Sequence, residues 1–563
     1  MHSTCKQCST SFEITQDDLE FYEKISPVLG GKKYLITSPK LCPDCRQQRR
    51  LGYCNEFNLY PGECGLCHKR TLTQFPPGSG ILYYCRECWH SDKWDAASYG
   101  RDVDFSRPFL EQVAELKRTV PSLALDVQGN LENCDYIHFA GSSKNSYLIM
   151  HADFCEDCMY GYGFKYDRSC MDGFYNLHSE LCYDCIDVHK CYGLIGCQDC
   201  RNCSDSTFLR DCVGCRNCFL STGLRNKEYF FENQQLSQDA YKKKVAEIDL
   251  RSHAQYRSLH ERRRQLEAKH TFKEYQGQNV ERCLGDHLIN CKEVTYGFDC
   301  EDVEHGKYLY QVVNGAKDVF DIYQYGLNLQ QSLECAIVGG NSYHLLFSYG
   351  CHVGSSDLLY CIYAEQSKEC LGCVNVSRKK HCILNKQYTR EQYEEVASKV
   401  IEHMKTTGEW GEFFPLKDSS FGYNITTAQL YFPLTKEKAT AQGMQWDATR
   451  IPPLAATKVI AAKQLPDSSA DVPDDVLNWA IACEETGRPF KIQTQELRFY
   501  RERNLPIPRR YWYQRHLDRF ARRNPRKLWQ RSCANCGKSI QTSYASDRPE
   551  IVYCEECYLK KVY

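Results

Sequence analysis

The chain has no surplus of charge of either sign, because 71 lysines and arginines nearly balance 72 aspartates and glutamates. Net charge therefore does not mark it as a binder of nucleic acid or of membrane surfaces. No hydrophobic run approaches the eighteen residues of a membrane-spanning helix. The chain begins with a cysteine motif, at Cys5, and not with the apolar segment of a signal peptide. We therefore expect a cytoplasmic protein with no membrane partner.

Motifs of common catalytic sites are also missing. The sequence has no phosphate-binding GxxxxGKS/T loop, no HExxH metalloprotease motif, no GxSxG nucleophile motif and no dinucleotide-binding GxGxxG. Its 17 histidines are scattered along the chain. These absences favour a binding protein over an enzyme.

Cysteine, in contrast, is abundant, with 36 residues in a compartment where disulfides rarely persist. Twelve of them form CxxC pairs, which direct two thiolates at one ion, and two such pairs complete a tetrahedral site. Seventeen residues separate the pairs of the second and third sets, and 33 separate those of the first. The predicted zinc ligands are Cys5, Cys8, Cys42 and Cys45 (ribbon A), Cys64, Cys67, Cys85 and Cys88 (ribbon B), and Cys533, Cys536, Cys554 and Cys557 (ribbon C). An iron centre with four cysteines remains an alternative.

The two ends of the chain are diverged copies of one module. Residues 12–22 match residues 490–500, and residues 41–88 match residues 510–557 without a gap. The C-terminal copy keeps the first ligand of ribbon A as Cys483 but has lost the other three. Their counterparts are Thr486, Tyr511 and Gln514. We therefore expect three structural zinc ions and not four.

The middle of the chain holds a second duplication, of residues 131–236 and 280–388. Cysteines of the first half recur at spacings of 12 and 15 residues, for example at positions 170, 182 and 197. Short β-prone pieces alternate with Gly, Asn and Asp turns, a pattern typical of a β-solenoid with stacked like residues. These cysteines could be packing residues, further zinc ligands or iron–sulfur ligands.

The sequence thus predicts a multidomain protein, β-rich with helices, in which zinc ribbons at both ends flank two short β-solenoids and bridging helices. The predicted segments are ribbon A with an inserted helix (1–50), ribbon B (51–100), a helical connector (101–130), the first solenoid half (131–236), a helical bridge (237–279), the second half (280–388), a helix (389–407), a linker (408–477) and the degenerate module with ribbon C (478–563).

Local charge is concentrated in residues 498–531, where twelve lysines and arginines face two acidic residues. Helical spacing would place Tyr513, Leu517 and Phe520 toward a core and several arginines outward. Arginine binds phosphates in bidentate fashion and stacks on bases. Alternatively, the arginines pair with acidic residues of the same chain. The candidate nucleic-acid ligands are Arg509, Arg510, Arg515, Arg519, Arg522, Arg523, Arg526 and Lys527.

Several phrases carry a resemblance to a known family, among them CPDCR at 42–46, NEFNLY at 55–60, WHSDKWD at 89–95, DFSRP at 104–108 and WGEFFP at 410–415. On these phrases, and on RPEIVYCEEC at 548–557, the chain resembles uncharacterised zinc-ribbon proteins with cysteine-rich repeats from ultra-small, candidate-phyla bacteria. The resemblance implies a zinc-ribbon and repeat architecture in the bacterial cytoplasm. It implies no activity.

The leading functional hypothesis is RNA or ribosome-associated binding through the basic C-terminal segment. The first alternative is a protein–protein scaffold that uses the solenoid faces, which are rich in tyrosine at Tyr160, Tyr162, Tyr166 and Tyr175. The second alternative is a metal-dependent redox protein that uses the central cysteines. The oligomeric state stays open.

Overall fold

A computed structural model describes residues 1–449, 454 and 456–562. The chain divides into two compact units. The N-terminal unit comprises Met1–Leu125, Tyr275–Thr449 and Arg526–Leu528, and the C-terminal unit takes the rest of the described residues within 126–274, 450–525 and 529–563. No helix in the described ranges is long and apolar enough to cross a bilayer.

Several helices begin at residues whose side chains accept hydrogen bonds from free backbone N–H groups. The side chain of Ser237 accepts a hydrogen bond from the N–H of Ala240, and Thr389 forms a capping box with Gln392. The α-helices are α1 Gln16–Lys24, α2 Pro43–Leu51, α3 Arg86–Trp89, α4 Phe109–Thr119, α5 Gln238–Ala246, α6 His253–Glu267, α7 Arg390–Thr407, α8 Thr427–Tyr431, α9 Lys436–Ala441, α10 Thr494–Glu502, α11 Trp512–Arg522 and α12 Glu555–Val562. Short 3-10 helices cover Ala96–Tyr99, Leu416–Asp418, Tyr423–Ile425, Ala462–Gln464, Ser469–Asp471 and Asp474–Asn478.

The N-terminal module consists of short strands between cysteine pairs. Its hairpins β1–β2, β3–β4 and β5–β6 are antiparallel, and β7 pairs with β8 in parallel. The strands are β1 His2–Thr4, β2 Ser11–Glu13, β3 Val28–Leu29, β4 Lys32–Lys33, β5 Tyr60–Glu63, β6 Arg70–Thr73, β7 Tyr83–Tyr84 and β8 Ser122–Leu123.

The first solenoid is a stack of twelve-residue coils. Register pairs such as Tyr147 with Met159 and Cys200 with Cys212 are twelve residues apart and parallel. Its strands are β9 Val127–Glu132, β10 Ala140–Lys144, β11 Tyr147–Met150, β12 Met159–Tyr162, β13 Phe174–Leu177, β14 Ile186–His189, β15 Gln198–Arg201 and β16 Arg210–Val213. The hairpin β17 Phe230–Phe231 with β18 Gln234–Gln235 follows, and β19 Thr271–Lys273 lies after α6.

A three-residue period explains the cysteine spacings of this solenoid. Every third residue has a positive φ, as at Asp184 and Asp187, and the residue after it points inward, as at Cys185 and Val188, both fully buried. A coil of twelve residues therefore has four sides of three residues. A spacing of 12 keeps a cysteine on one side, whereas 15 moves it to the next side of the next coil.

The second solenoid is an eleven-stranded parallel stack that ends in one antiparallel strand. Its register offset is 12 residues at Lys292 and Glu304 but 13 at Ala316 and Leu329. Larger residues such as Val319, Leu345 and Leu358 fill its interior, where they are fully buried. The strands are β20 Gly277–Gln278, β21 Leu284–Ile289, β22 Lys292–Glu301, β23 Val303–Tyr310, β24 Ala316–Tyr323, β25 Leu329–Ala336, β26 Tyr343–Leu346, β27 Ser356–Leu359, β28 Lys368–Leu371, β29 Lys380–Ile383 and β30 Lys386–Gln387.

The C-terminal module repeats the short-strand pattern of the N-terminal one. Its strands are β31 Lys458–Ala461, β32 Trp479–Ala482, β33 Pro489–Phe490, β34 Trp529–Ser532, β35 Ser539–Thr542 and β36 Ile551–Tyr553. Strand β36 also pairs with β19 in parallel. The predicted fold class is therefore confirmed: a β-rich chain with helices, a central β-solenoid, and cysteine clusters near both termini.

Each unit combines a terminal module with a solenoid, and the pairing does not follow the order of the chain. The N-terminal module shares a unit with the second solenoid, and the C-terminal module shares a unit with the first. Part of the predicted linker also belongs to a core, because Trp410, Phe413 and Phe414 are buried in the N-terminal unit. There the Trp410 indole donates a hydrogen bond to the carbonyl of Leu35 (2.8 Å).

Candidate metal centres and the arginine-rich helix

Ribbons B and C bring their four cysteines together in the same geometry. In each ribbon the four Sγ atoms lie within 4.8 Å of one another. The Sγ atoms of Cys67 and Cys85 are 3.8 Å apart, and so are those of Cys536 and Cys554. A metal–sulfur bond of about 2.3 Å in a tetrahedron places sulfurs about 3.8 Å apart. Both sites can therefore hold a tetrahedral ion.

Backbone N–H groups point at the first sulfur of each ribbon. The N–H of Cys85 donates to Cys64 Sγ, and that of Cys554 donates to Cys533 Sγ, both at 3.2 Å. Burial raises the pKa of these two thiols, but the backbone donors outweigh it and lower the pKa of each to about 6. At these two cysteines the local fold thus favours the thiolate, which is the form that binds a metal.

Ribbon A forms despite its long insert. Helix α1 and the β3–β4 hairpin lie between its two cysteine pairs, yet its four Sγ atoms also lie within 4.8 Å of one another. The Sγ atoms of Cys8 and Cys42 are 3.6 Å apart. Cys42 is the residue that precedes α2, so the second cysteine pair is fixed by a helix start. Three four-cysteine groups are therefore able to hold metal ions.

The counterpart of ribbon A in the C-terminal module is built from other contacts. Cys483 is buried, and the Tyr511 and Trp512 rings meet edge to face, with their centroids 5.4 Å apart. The Arg488 guanidinium lies 4.2 Å from the Tyr511 ring centre. A cation–π contact and aromatic packing thus occupy the place of the lost cysteines.

The cysteines of the solenoids behave as small buried side chains. The thiol of Cys155 lies 3.5 Å from two carbonyl oxygens, of Asp153 in its own coil and of Phe164 in the next. The same i−2 and i+9 contacts recur at Cys170 and Cys191. Within the described residues, no solenoid cysteine belongs to a group of three or more ligand atoms close enough for one ion. This arrangement favours packing.

The arginines of α11 do not project outward, so that prediction is wrong. Arg515 and Arg519 are 8% and 2% exposed, and Arg519 pairs with Asp172 of the first solenoid at 3.0 Å. Arg515 pairs with the same carboxylate. The physical reason is that the solenoid presents a row of carboxylates to α11. A helix that buries unpaired arginines would be unstable, but paired ones can dock.

The other predicted nucleic-acid ligands are mostly engaged as well. Arg522 pairs with Asp184 (2.6 Å), and Arg523 binds Asp187 in bidentate fashion. Arg510 pairs with Glu484 and Asp518, whereas Arg509 donates to the carbonyls of Leu465 and Pro466. In the N-terminal unit, Arg526 pairs with Asp299 (2.9 Å), and Lys527 is exposed. The internal ion pairs that the sequence left open as an alternative are therefore present.

The N-terminal unit docks its own helix in the same way. Arg46 of α2, the counterpart of Arg515, binds Asp321 of the second solenoid through two hydrogen bonds of 3.1 and 2.8 Å. Arg50, the counterpart of Arg519, reaches the same carboxylate at 3.1 Å. The duplicated arginines thus have one shared role, which is to attach a module to its solenoid.

Sequence reasoning missed the carboxylates that receive these arginines. Asp172, Asp184 and Asp321 all have a positive φ, in the position that precedes an inward residue. Aspartate and asparagine tolerate this conformation better than most residues. A search for aspartate at a three-residue period would have identified these partners.

Two groups can be distinguished among the tyrosines that were predicted to line an open face of the solenoid. Tyr160 and Tyr162 are buried, and the Tyr160 hydroxyl donates to Glu496 at 2.8 Å. Tyr166 is 53% exposed and stacks on Phe154 at 4.8 Å. Stacked rings show their edges to solvent and cover one another's faces. This corner of the solenoid therefore offers little surface for base stacking.

A cavity of about 700 Å³ lies within the C-terminal unit. Its walls come from the first solenoid, α6, the segment before α11, α11 itself and ribbon C. Ten arginines and six carboxylates line it. The cavity thus carries more positive than negative side chains, although the chain as a whole is nearly neutral.

No protein-family model matches this chain, and no curated protein matches it either. The resemblance noted from the sequence phrases therefore stays a prediction. Function has to be argued from the site itself.

Proposed function

We propose that this chain is a zinc-stabilised RNA-binding protein whose contact surface lies on the C-terminal unit. The observation that carries the proposal is the arginine surplus around the cavity. Arginine–phosphate contacts provide most of the affinity of sequence-independent nucleic-acid binding. The proposed RNA contact therefore lies on α6 and at the cavity, and not on the outer side of α11.

Exposed basic side chains on α5 and α6 support this location. Lys242, Lys243 and Arg257 are exposed and have no ion-pair partner among the described residues. Arg257 also lines the cavity, so it stands at the opening. These side chains remain available to phosphates, whereas those of α11 are already neutralised by aspartates.

We further propose zinc as the ion of the three four-cysteine groups. Four thiolates with no open position are typical of structural zinc, and the sulfur separations fit its bond length. Zinc would hold each ribbon rigid beside its solenoid. In this role it positions the binding surface and takes no part in chemistry.

The test is binding of a fluorescent single-stranded RNA by anisotropy at several salt concentrations. We expect the logarithm of the affinity to fall linearly with that of salt, by about 0.7 per phosphate contact. The triple variant Lys242→Glu, Lys243→Glu, Arg257→Glu should bind at least about tenfold more weakly and show a flatter slope.

The matched control also reverses three charges, but in the N-terminal unit, at Lys93 and at Lys436 and Lys438 of α9, which are all exposed. This variant should bind RNA like the wild type. Salt-independent binding, or equal loss in both variants, would remove the C-terminal unit as the contact surface.

A further inference from the structure

The cavity of the C-terminal unit contains donors that no group of the protein accepts. Buried Nε atoms of Arg509, Arg515 and Arg519 have no hydrogen-bond acceptor among the described residues. A buried donor without a partner lowers the stability of the folded chain. Arg49 and Arg50 of the N-terminal unit also have unpaired Nε atoms, so the two on α11 belong to the docking arrangement that both units share. Arg509 lies outside the helix and adds an unpaired donor to the cavity wall, where an acceptor from outside the chain would complete it.

The electrostatics of the cavity favour a highly charged anion. Burial and the neighbouring charges of Arg522 and Arg210 lower the pKa of the Arg263 guanidinium. Burial, reinforced by Arg509, lowers the pKa of His253 to about 4. On the α11 side, burial is outweighed by Asp172 and Asp184, which raise the pKa of Arg515 and Arg522. Positive groups therefore crowd one another mainly on the α6 side, where a dianion would relieve that repulsion.

We infer that this cavity binds a terminal phosphate, either on the end of an RNA strand or on a free nucleotide. A terminal phosphate carries nearly two negative charges at pH 7, whereas an internal phosphodiester carries one. It also presents three oxygens that match arginine forks. The volume of about 700 Å³ lies in the usual range for small ligands and leaves room for one nucleotide. That the terminal phosphate belongs to an RNA strand rests on the proposed function.

Helix α6 offers variants that should not disturb the fold. Arg257 and Arg264 line the cavity but are exposed, so their removal leaves no buried charge unpaired. Arg262 lies on the same helix and is exposed as well, but it pairs with Glu232 and does not line the cavity. It serves as the matched control.

The experiment is isothermal titration calorimetry of the full chain with unlabelled RNA octamers that carry a 5′-phosphate, a 3′-phosphate or no terminal phosphate, and with AMP alone. We expect a terminal phosphate to raise RNA affinity at least about tenfold, or AMP to bind by itself. Arg257→Ala with Arg264→Ala should abolish this gain, and Arg262→Ala should keep it.

The outcomes separate the two proposals. If all three octamers bind equally and AMP does not bind, the cavity site is wrong and RNA binding stands. If no octamer binds but AMP does, the proposed function is wrong and the site takes free nucleotides. If nothing binds, both are wrong.

Discussion

Both units attach a module helix to a solenoid through ion pairs between arginines and carboxylates. They differ in the charge that lies beside this contact. In the N-terminal unit, Arg46, Arg49 and Arg50 of α2 meet three carboxylates, of Asp321, Glu334 and Glu412. In the C-terminal unit, Arg515, Arg519 and Arg522 of α11 likewise meet three carboxylates, of Asp172, Asp184 and Glu496. Ten arginines and six carboxylates, however, line the cavity beside this helix. A balanced interface holds a module in place. The arginine surplus of the C-terminal unit lies outside these docking contacts, which is why we place the proposed RNA contact there.

Two arginines of the C-terminal module stand where the N-terminal copy has other residues. Arg522 and Arg523 correspond to Tyr53 and Cys54, which are buried in the N-terminal unit. Burial raises the pKa of both Tyr53 and Cys54, as expected of uncharged core residues. One copy therefore extends its apolar core where the other extends its ionic contacts.

The largest effect is expected from the metal sites. Cys536→Ser should reduce bound zinc from three ions to two and unfold ribbon C, because structural zinc contributes about 10–16 kcal/mol in small zinc-binding peptides. Elemental analysis and a thermal melt would measure both. Cys483→Ser alters the degenerate site and should keep three ions. Equal zinc content in the two variants would contradict the assignment of ligands.

A smaller effect is expected at the buried ion pairs, and it should be alike in both units. Arg50→Leu and Arg519→Leu each leave a buried aspartate with one arginine fewer, so each should lower the free energy of unfolding by about 3–5 kcal/mol. Urea denaturation measures the loss. The exposed Arg262→Leu should change it by less than about 0.5 kcal/mol. A negligible loss of unfolding free energy in either variant would contradict a shared stabilising role of these ion pairs in the two units.

The smallest effect is expected in the pH dependence of the stability of the C-terminal unit. Burial lowers the pKa of His260 to about 4, although Asp184 beside it acts in the opposite direction. Because the unfolded chain binds this proton near pH 6.5 and the folded unit does not, the free energy of unfolding should fall between pH 6.5 and pH 4, by about 2–3 kcal/mol. Urea midpoints at pH 7 and pH 5 should differ less for His260→Gln. If the midpoints of the variant differ between pH 7 and pH 5 as much as those of the wild type, a group other than His260 takes up the proton.

The sequence predicts local features well because they depend on neighbouring residues. The cysteine pairs, the caps at Ser237 and Thr389 and the solenoid period all follow from short-range spacing. The crosswise pairing of modules and solenoids depends on contacts between residues hundreds of positions apart, such as Arg515 and Asp172. Helical spacing alone places Arg515 and Arg519 on one side of α11, but it cannot say that this side meets carboxylates.

The most direct test of the account is accessibility of individual arginines, measured by phenylglyoxal modification and mass spectrometry with and without RNA. The account predicts that Arg257 and Arg264 react in the free protein and are protected by RNA. Arg515 and Arg519 should stay unreactive in both states, like Arg46 and Arg50. Reaction of Arg515 and Arg519 in the free protein, with protection by RNA, would contradict it and return the contact to α11.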